Sequence, residues 1–226
     1  MFERFTYGSL RRVNKGLAAA LVLAAGSASA ADVDILALGD SLTQGYGLIE
    51  QEGFVPQLRS WLENRGYDVR VVNGGVSGDT TAGGFARVEW SLTPEIDAMI
   101  VTLGGNDLLR GIAPDVARAN IEGILKTAEA REIEVLLIGM QAPGNYGAEY
   151  KAAFDAIYPE LSDAYGTVYL DSFFAGLMEN GALPQDVTPY MQSDGIHPNG
   201  EGVSRIVDAV GPKVEDLIER VKGAPS

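Results

Sequence analysis

The sequence predicts an α/β domain built on a mostly parallel sheet with helices covering both faces. Short apolar runs recur, most of them ending at a glycine or a polar residue. Segments with apolar residues at helical spacing separate them. The runs start about every 30 to 35 residues, the length of a strand–helix–strand unit, and such alternation favours parallel strands.

Each element has its own signal. Val33–Leu38 (VDILAL) before Gly39 reads as a buried strand. Phe54–Asn64 carries Phe54, Val55, Leu58, Trp61 and Leu62 on one helical face and stops at Gly66. Val69–Val72 is the second strand, and Thr80–Leu92 is helical despite Gly83 and Gly84, which disfavour a helix interior. Ala98–Leu103 is the third strand. Pro114–Arg131 is a helix that Pro114 opens, since a first-turn residue needs no N–H partner. Val135–Met140 is a strand. Glu149–Tyr165 is a helix with a disturbance expected at Pro159. Val168–Asp171 is the last strand and Gly200–Val221 the closing helix. No linker, low-complexity tract or repeat interrupts Ala31–Val221, so residues 31–226 are expected to form one domain.

Residues 1–30 read as an export signal. Arg4, Arg11, Arg12 and Lys15 form a basic start, Leu17–Gly26 (LAAALVLAAG) an apolar centre, and Ala28-Ser29-Ala30 a small-residue cleavage site before Ala31. The alternative is an uncleaved amphipathic anchor, but ten apolar residues are about half a membrane span. Arg11-Arg12 is similar to a twin-arginine signal. No Ser or Thr directly precedes the pair and Asn14 sits where an apolar residue is usual, which favours a Sec-type signal. Export to the periplasm or beyond is the expectation.

Composition narrows the chemistry. The 226 residues are 46% hydrophobic and 21% charged, ordinary globular usage. There is no Cys and one His, which removes disulfide frameworks, thiolate nucleophiles and multi-histidine metal clusters, so no metal or cofactor is expected. The net charge is −14. The leader carries four basic side chains and one acid, leaving −17 without it, a balance that repels phosphate backbones. No nucleic-acid partner and no stable membrane insertion are expected.

In open parallel sheets chemistry collects beyond the carboxyl ends of the strands. After the first strand comes Gly39-Asp40-Ser41-Leu42, after the second Asn73-Gly74-Gly75-Val76-Ser77-Gly78-Asp79-Thr80, and after the third Gly104-Gly105-Asn106-Asp107; Asp194-Gly195-Ile196-His197-Pro198 precedes the last helix. Taken singly, each has a bland reading. Ser41 fits a helix cap, Gly78 a turn, Asn106 an Asx-turn, Asp194 a helix-entry carboxylate and His197 extended backbone before proline. A phosphate-cradling loop is disfavoured, because neither GxxxxGK[ST] nor GxGxxG follows a strand. Together the residues make chemical sense. A serine hydroxyl needs a base, the sole His can serve, and a carboxylate three residues before it can orient the imidazole. The Ser41 N–H, the Asn106 amide and a glycine N–H from Gly74, Gly75 or Gly78 are candidate donors to an oxyanion. No GxSxG elbow is present, so the arrangement is not that of an ordinary α/β-hydrolase.

The order Gly39-Asp40-Ser41-Leu42, Gly78, Gly104-Gly105-Asn106-Asp107 and Asp194-x-x-His197 resembles the GDSL, or SGNH, hydrolases across the whole mature chain. Ser77-Gly78-Asp79-Thr80, Asn145-Tyr146-Gly147, Ala156-Ile157-Tyr158-Pro159 and Gly195-Ile196-His197-Pro198-Asn199 look like the small periplasmic thioesterase, lysophospholipase and arylesterase branch. The resemblance implies a three-layer α/β/α sandwich on a five-stranded parallel sheet, flavodoxin-like. It makes Ser41 the nucleophile, His197 the base and Asp194 its partner, and it selects Gly78 beside Ser41 and Asn106 for the oxyanion hole. The implied substrates are carboxylic esters and thioesters. Two rivals stand beside this reading: a cell-wall or polysaccharide O-deacetylase on the same machinery, and a silent lipid- or sugar-binding module. The segment Asp107–Pro114 is expected to connect a strand to a helix on the catalytic rim, with Leu108, Leu109 and Ile112 against the acyl chain.

Overall fold

The computed structural model describes residues 31–180, 184 and 186–223, with the isolated Met1 and Glu3. The expected export signal otherwise lies outside the described residues. Five strands, β1 (Val33–Gly39), β2 (Val69–Gly75), β3 (Ala98–Thr102), β4 (Glu134–Ile138) and β5 (Val168–Leu170), form one parallel sheet in the order β2-β1-β3-β4-β5. Among the described residues eight α-helices accompany it: α1 (Ser41–Gln44), α2 (Phe54–Glu63), α3 (Thr81–Ser91), α4 (Gly105–Arg110), α5 (Pro114–Glu129), α6 (Ala148–Asp155), α7 (Ile157–Tyr165) and α8 (Gly200–Gly223). Helix α2 packs with α8; α3, α6 and α7 pack with α5. All five residues of β3 are buried, so both faces of the central sheet are covered. The α/β class and the five-stranded parallel sheet agree with the sequence reading.

Apolar spacing accounts for the packing. Helix α2 buries Phe54, Val55, Leu58 and Leu62; α8 buries Val203, Ile206, Val207, Val210, Val214, Leu217 and Ile218 at intervals of three and four. Each fully buried side chain of this size contributes about 1.5–3 kcal/mol. Pro212 lies inside α8 on its exposed face, where it lacks the N–H of an ordinary helical residue.

Three expectations need correction. Strand β2 runs on to Gly75, so Asn73-Gly74-Gly75 belong to the strand and not to the turn after it. Gly74 and Gly75 pair with Leu38 and Gly39. A Cβ at Gly75 would lie 2.3 Å from the Gln44 nitrogen, so only glycine lets α1 approach this closely. The helix expected over Glu149–Tyr165 is two helices, and the break falls at Ala156, not Pro159. Pro159 lies in the first turn of α7, where its missing N–H has no partner to lose. The segment expected to be a connection after β3 holds α4, capped at both ends by left-handed Gly104 and Gly111.

Strands β2 and β3 lie on opposite sides of β1, so the chain reverses direction across the sheet between β1 and β3. A crevice opens at the carboxyl ends of the strands at such a point.

Candidate active site

The site starts with the short turn after β1. Asp40 caps α1, its Oδ1 accepting the Leu42 N–H at 3.0 Å, which leaves Ser41 as the first helical residue. Ser41 is 8% exposed. The opposing loop folds on its own carboxylate. Asp194 Oδ1 accepts the N–H groups of Ile196 (2.9 Å) and His197 (3.0 Å), and its Oδ2 lies 2.7 Å from His197 Nδ1. With the Nδ1 proton donated to Asp194, Nε2 is left as an acceptor, and it lies 2.8 Å from Ser41 Oγ. Residues 156 apart in sequence thus form one hydrogen-bonded line. Gln192 fixes the two loops together, donating to the carbonyls of Tyr46 (2.8 Å) and Pro198 (3.0 Å). The Tyr46 ring rests 4.7 Å from the imidazole, centroid to centroid.

Gly78 and Asn106 come from the segments that follow β2 and β3. Gly78 has φ +84° and lines the same cleft as Ser41. Asn106 is the second residue of α4; its Nδ2 donates to Asp40 Oδ2 at 3.1 Å, which leaves its second amide hydrogen free of that bond. The next residue, the fully buried Asp107, accepts from Thr81 N–H (2.8 Å) and Thr81 Oγ1 (2.7 Å), locking α4 to the start of α3.

The carboxylates differ in character. The His197 N–H, the His197 side chain and the Ile196 N–H together hold Asp194 down to about 2. Burial pushes Asp40 up to about 6, against the pull of the Leu42 N–H and the Asn106 amide.

A cleft of about 980 Å³ contains Asp40, Ser41, Gly78, Asn106, Asp194 and His197. Its apolar wall includes Leu42, Leu108, Met140, Phe174 and Met178. Leu108 serves both the core and the cleft, at 8% exposure, and Leu109 lines the cleft at 60%. Ile112 does not line it. It lies past the end of α4, half-buried, with its carbonyl accepting from Tyr150 Oη at 2.8 Å. The helix turn between Leu109 and Ile112 sends them to different places, a distinction invisible while the segment is read as a connection.

Sequence reasoning missed the grip of Asp40 on Asn106 and the lining from Met140–Tyr146 and Ser172–Met178. The available signal was the rule already applied to the first three strands, because both segments directly follow strand ends, those of β4 and β5.

A model of the GDSL-like lipase/acylhydrolase family matches residues 37–205. Esterase TesA of Pseudomonas aeruginosa is 37% identical over 203 residues, covering 89% of this chain and 98% of its own. Thioesterase 1/protease 1/lysophospholipase L1 of Escherichia coli is 36% identical over 200 residues, covering 88% and 90%. The crystal structure of TesA superposes with a TM-score of 0.73 at 38% identity, covering 81% of this chain and 99% of that one. The family match takes in every strand end but the first residues of β1, and the relatives align along nearly their whole length: the chain belongs to the GDSL-like lipase/acylhydrolase family and is an ester hydrolase.

Proposed function

We propose that the protein is an exported serine hydrolase that cleaves carboxylic esters and thioesters through an acyl-enzyme on Ser41. The observation that carries this reading is the line Asp194–His197–Ser41, with spacings of 2.7 and 2.8 Å, opening on a cleft with an apolar wall. Ser41 Oγ attacks the carbonyl carbon while its proton passes to His197 Nε2. Asp194, ionised far into acid, stabilises the imidazolium through Nδ1. The negative charge that forms on the carbonyl oxygen is met by the N–H groups of Ser41 and Gly78 and by the free hydrogen of Asn106 Nδ2. Collapse breaks the ester or thioester bond, and the leaving group takes the proton from His197. Water then attacks the acyl-serine while His197 takes its proton; the Ser41 Oγ–acyl bond breaks, His197 returns the proton to Ser41 Oγ, and the carboxylic acid leaves. No metal or cofactor enters.

Acyl-CoA-type thioesters and lysophospholipid-type esters share an apolar acyl chain, aryl esters present an aromatic leaving group, and the names of the relatives, esterase and thioesterase/lysophospholipase, support this class of ester and thioester substrates. The basic-apolar-small pattern of residues 1–30 supports export of residues 31–226 as the catalytic domain. Among the described residues no helix is long and apolar enough to cross a membrane.

A series of p-nitrophenyl esters from acetyl to decanoyl tests the acyl assignment. Each buried methylene contributes about 0.8 kcal/mol, so kcat/KM is expected to climb over the first carbons. Leu109→Asn should flatten that climb and Ile112→Asn should leave it in place. A profile peaking at acetyl, or one that Leu109→Asn leaves unchanged, contradicts the assignment and points to a deacetylase.

A further inference from the structure

Arg87 lies in α3, outside the cleft, and the chemistry described above does not use it. It is nonetheless a buried charge, with its side chain 11% exposed. Its Nε donates to Asp79 Oδ2 at 2.7 Å and its Nη2 donates to the Gly39 carbonyl at 2.8 Å. The same carbonyl accepts the Val76 N–H at 3.0 Å, and the Asp79 N–H returns to the Val76 carbonyl at 3.1 Å. The turn Val76-Ser77-Gly78-Asp79 is therefore tied at both ends to one atom. Val76 reaches the Gly39 oxygen directly, and Asp79 reaches it through the guanidinium. Gly39 stands two residues before Ser41. The circuit joins the turn that carries Gly78 to the strand end that carries the nucleophile, across the β1–β2 boundary.

We propose that Arg87 is a positioning residue for oxyanion stabilisation, holding the Gly78 N–H in register with Ser41. The inference rests on the roles proposed for Ser41 and Gly78. The fork of a guanidinium suits this task, because two of its nitrogens address two acceptors in a fixed geometry. A lysine in its place keeps the charge beside Asp79 but cannot hold both partners in that fork. Nothing else among the described hydrogen bonds ties the Asp79 carboxylate to the nucleophile strand.

The test compares Arg87→Lys and Arg87→Met with the unaltered enzyme in three measurements: kcat and KM on a p-nitrophenyl ester, the inhibition constant of an aryl boronic acid, and thermal stability. A boronate adduct on Ser41 places an oxygen in the oxyanion hole, whereas the ground-state ester does not. Misplacing a reacting group by about 1 Å costs on the order of 10²-fold. Arg87→Met is expected to lose about that factor in kcat, and Arg87→Lys about 10-fold, with KM within about twofold. Boronate affinity is expected to fall by the same factor as kcat/KM. Arg87→Lys carries the test if Arg87→Met does not fold, since removing one partner of a buried ion pair is destabilising. The proposal is overturned if a folded Arg87→Lys enzyme keeps kcat and boronate affinity within about twofold, or if the loss falls in KM alone. It is also overturned if stability drops without any change in boronate affinity. Ser41→Ala serves as the control. If that variant still turns over, the serine mechanism fails along with this inference; if it is silent while the Arg87 variants behave normally, only the role of Arg87 fails.

Discussion

Asp40 and Asp194 are carboxylates of the same rim, and their surroundings drive them in opposite directions. Asp194 is partly exposed and accepts two backbone N–H groups and an imidazole, so its ionised form is favoured down to about 2. Asp40 is buried and rises to about 6. The consequences for stability have opposite signs. The contribution of Asp194 is present above its unfolded value of 3.8 and is lost as pH falls toward 2. The contribution of Asp40 is present below 3.8 and is lost as pH rises through about 6, because the folded protein then holds a buried charge that the unfolded chain hydrates. Two pKa units correspond to about 3 kcal/mol. Urea unfolding of the unaltered protein and of Asp40→Asn at pH 3.5 and pH 7 should show the gap between them shifting by that amount in favour of the variant at pH 7. The Asp194 effect is common to both proteins and cancels in the gap. A gap independent of pH contradicts the assignment. Against this cost Asp40 joins two elements of the site, since its two oxygens accept the Leu42 N–H, next to Ser41, and the Asn106 amide at the start of α4.

At the scale of elements, α4 decides the geometry of the site, because it carries Asn106, Leu108 and Leu109. It is gripped from outside by an aromatic column in which the rings of Tyr146, Tyr150, Phe154 and Tyr158 follow one another, with centroids 4.9, 6.0 and 6.0 Å apart. Tyr150 Oη donates to the Ile112 carbonyl beyond one end, and Tyr158 Oη donates to the Leu103 carbonyl before the other, both at 2.8 Å. Gly104, between Leu103 and the helix, has φ +118°, and a Cβ there would lie 2.0 Å from Tyr158 Oη. Gly104→Ala is therefore expected to lose about 1–3 kcal/mol from the backbone alone, with the overlap added. Because the hydroxyl is the obstacle, the double variant Gly104→Ala/Tyr158→Phe should be more stable than the sum of the single losses by more than about 0.5 kcal/mol. Denaturant unfolding of the four proteins measures this coupling. Additive losses would show that the strain lies elsewhere.

For the whole molecule, the sheet order β2-β1-β3-β4-β5 brings the Ser41 turn, the Gly78 turn, α4 and the Asp194–His197 loop to one crevice. The strands were legible because each holds a short apolar run, although Arg70 interrupts β2 and its Asn73-Gly74-Gly75 end reads as a turn, and Ser41, Asp194 and His197 because a lone histidine three residues after a carboxylate has few partners to choose from. Arg87 was not legible, since an arginine on an amphipathic helix looks solvated until the fold buries it. The split between α6 and α7 was hidden for the opposite reason: the proline was visible, but it sits where a helix tolerates it. The hydrogen bond from Ser41 Oγ to His197 Nε2 spans 156 positions, and no local pattern carries such a distance. The central claim, a covalent intermediate on Ser41, is tested most directly by intact-protein and peptide mass spectrometry on acid-quenched samples taken during turnover of a p-nitrophenyl ester. The account predicts one added acyl group, located on the peptide that contains Ser41 and absent from Ser41→Ala, which should not turn over. Turnover at the normal rate by Ser41→Ala, or an acyl group found on another residue and none on Ser41, would contradict it.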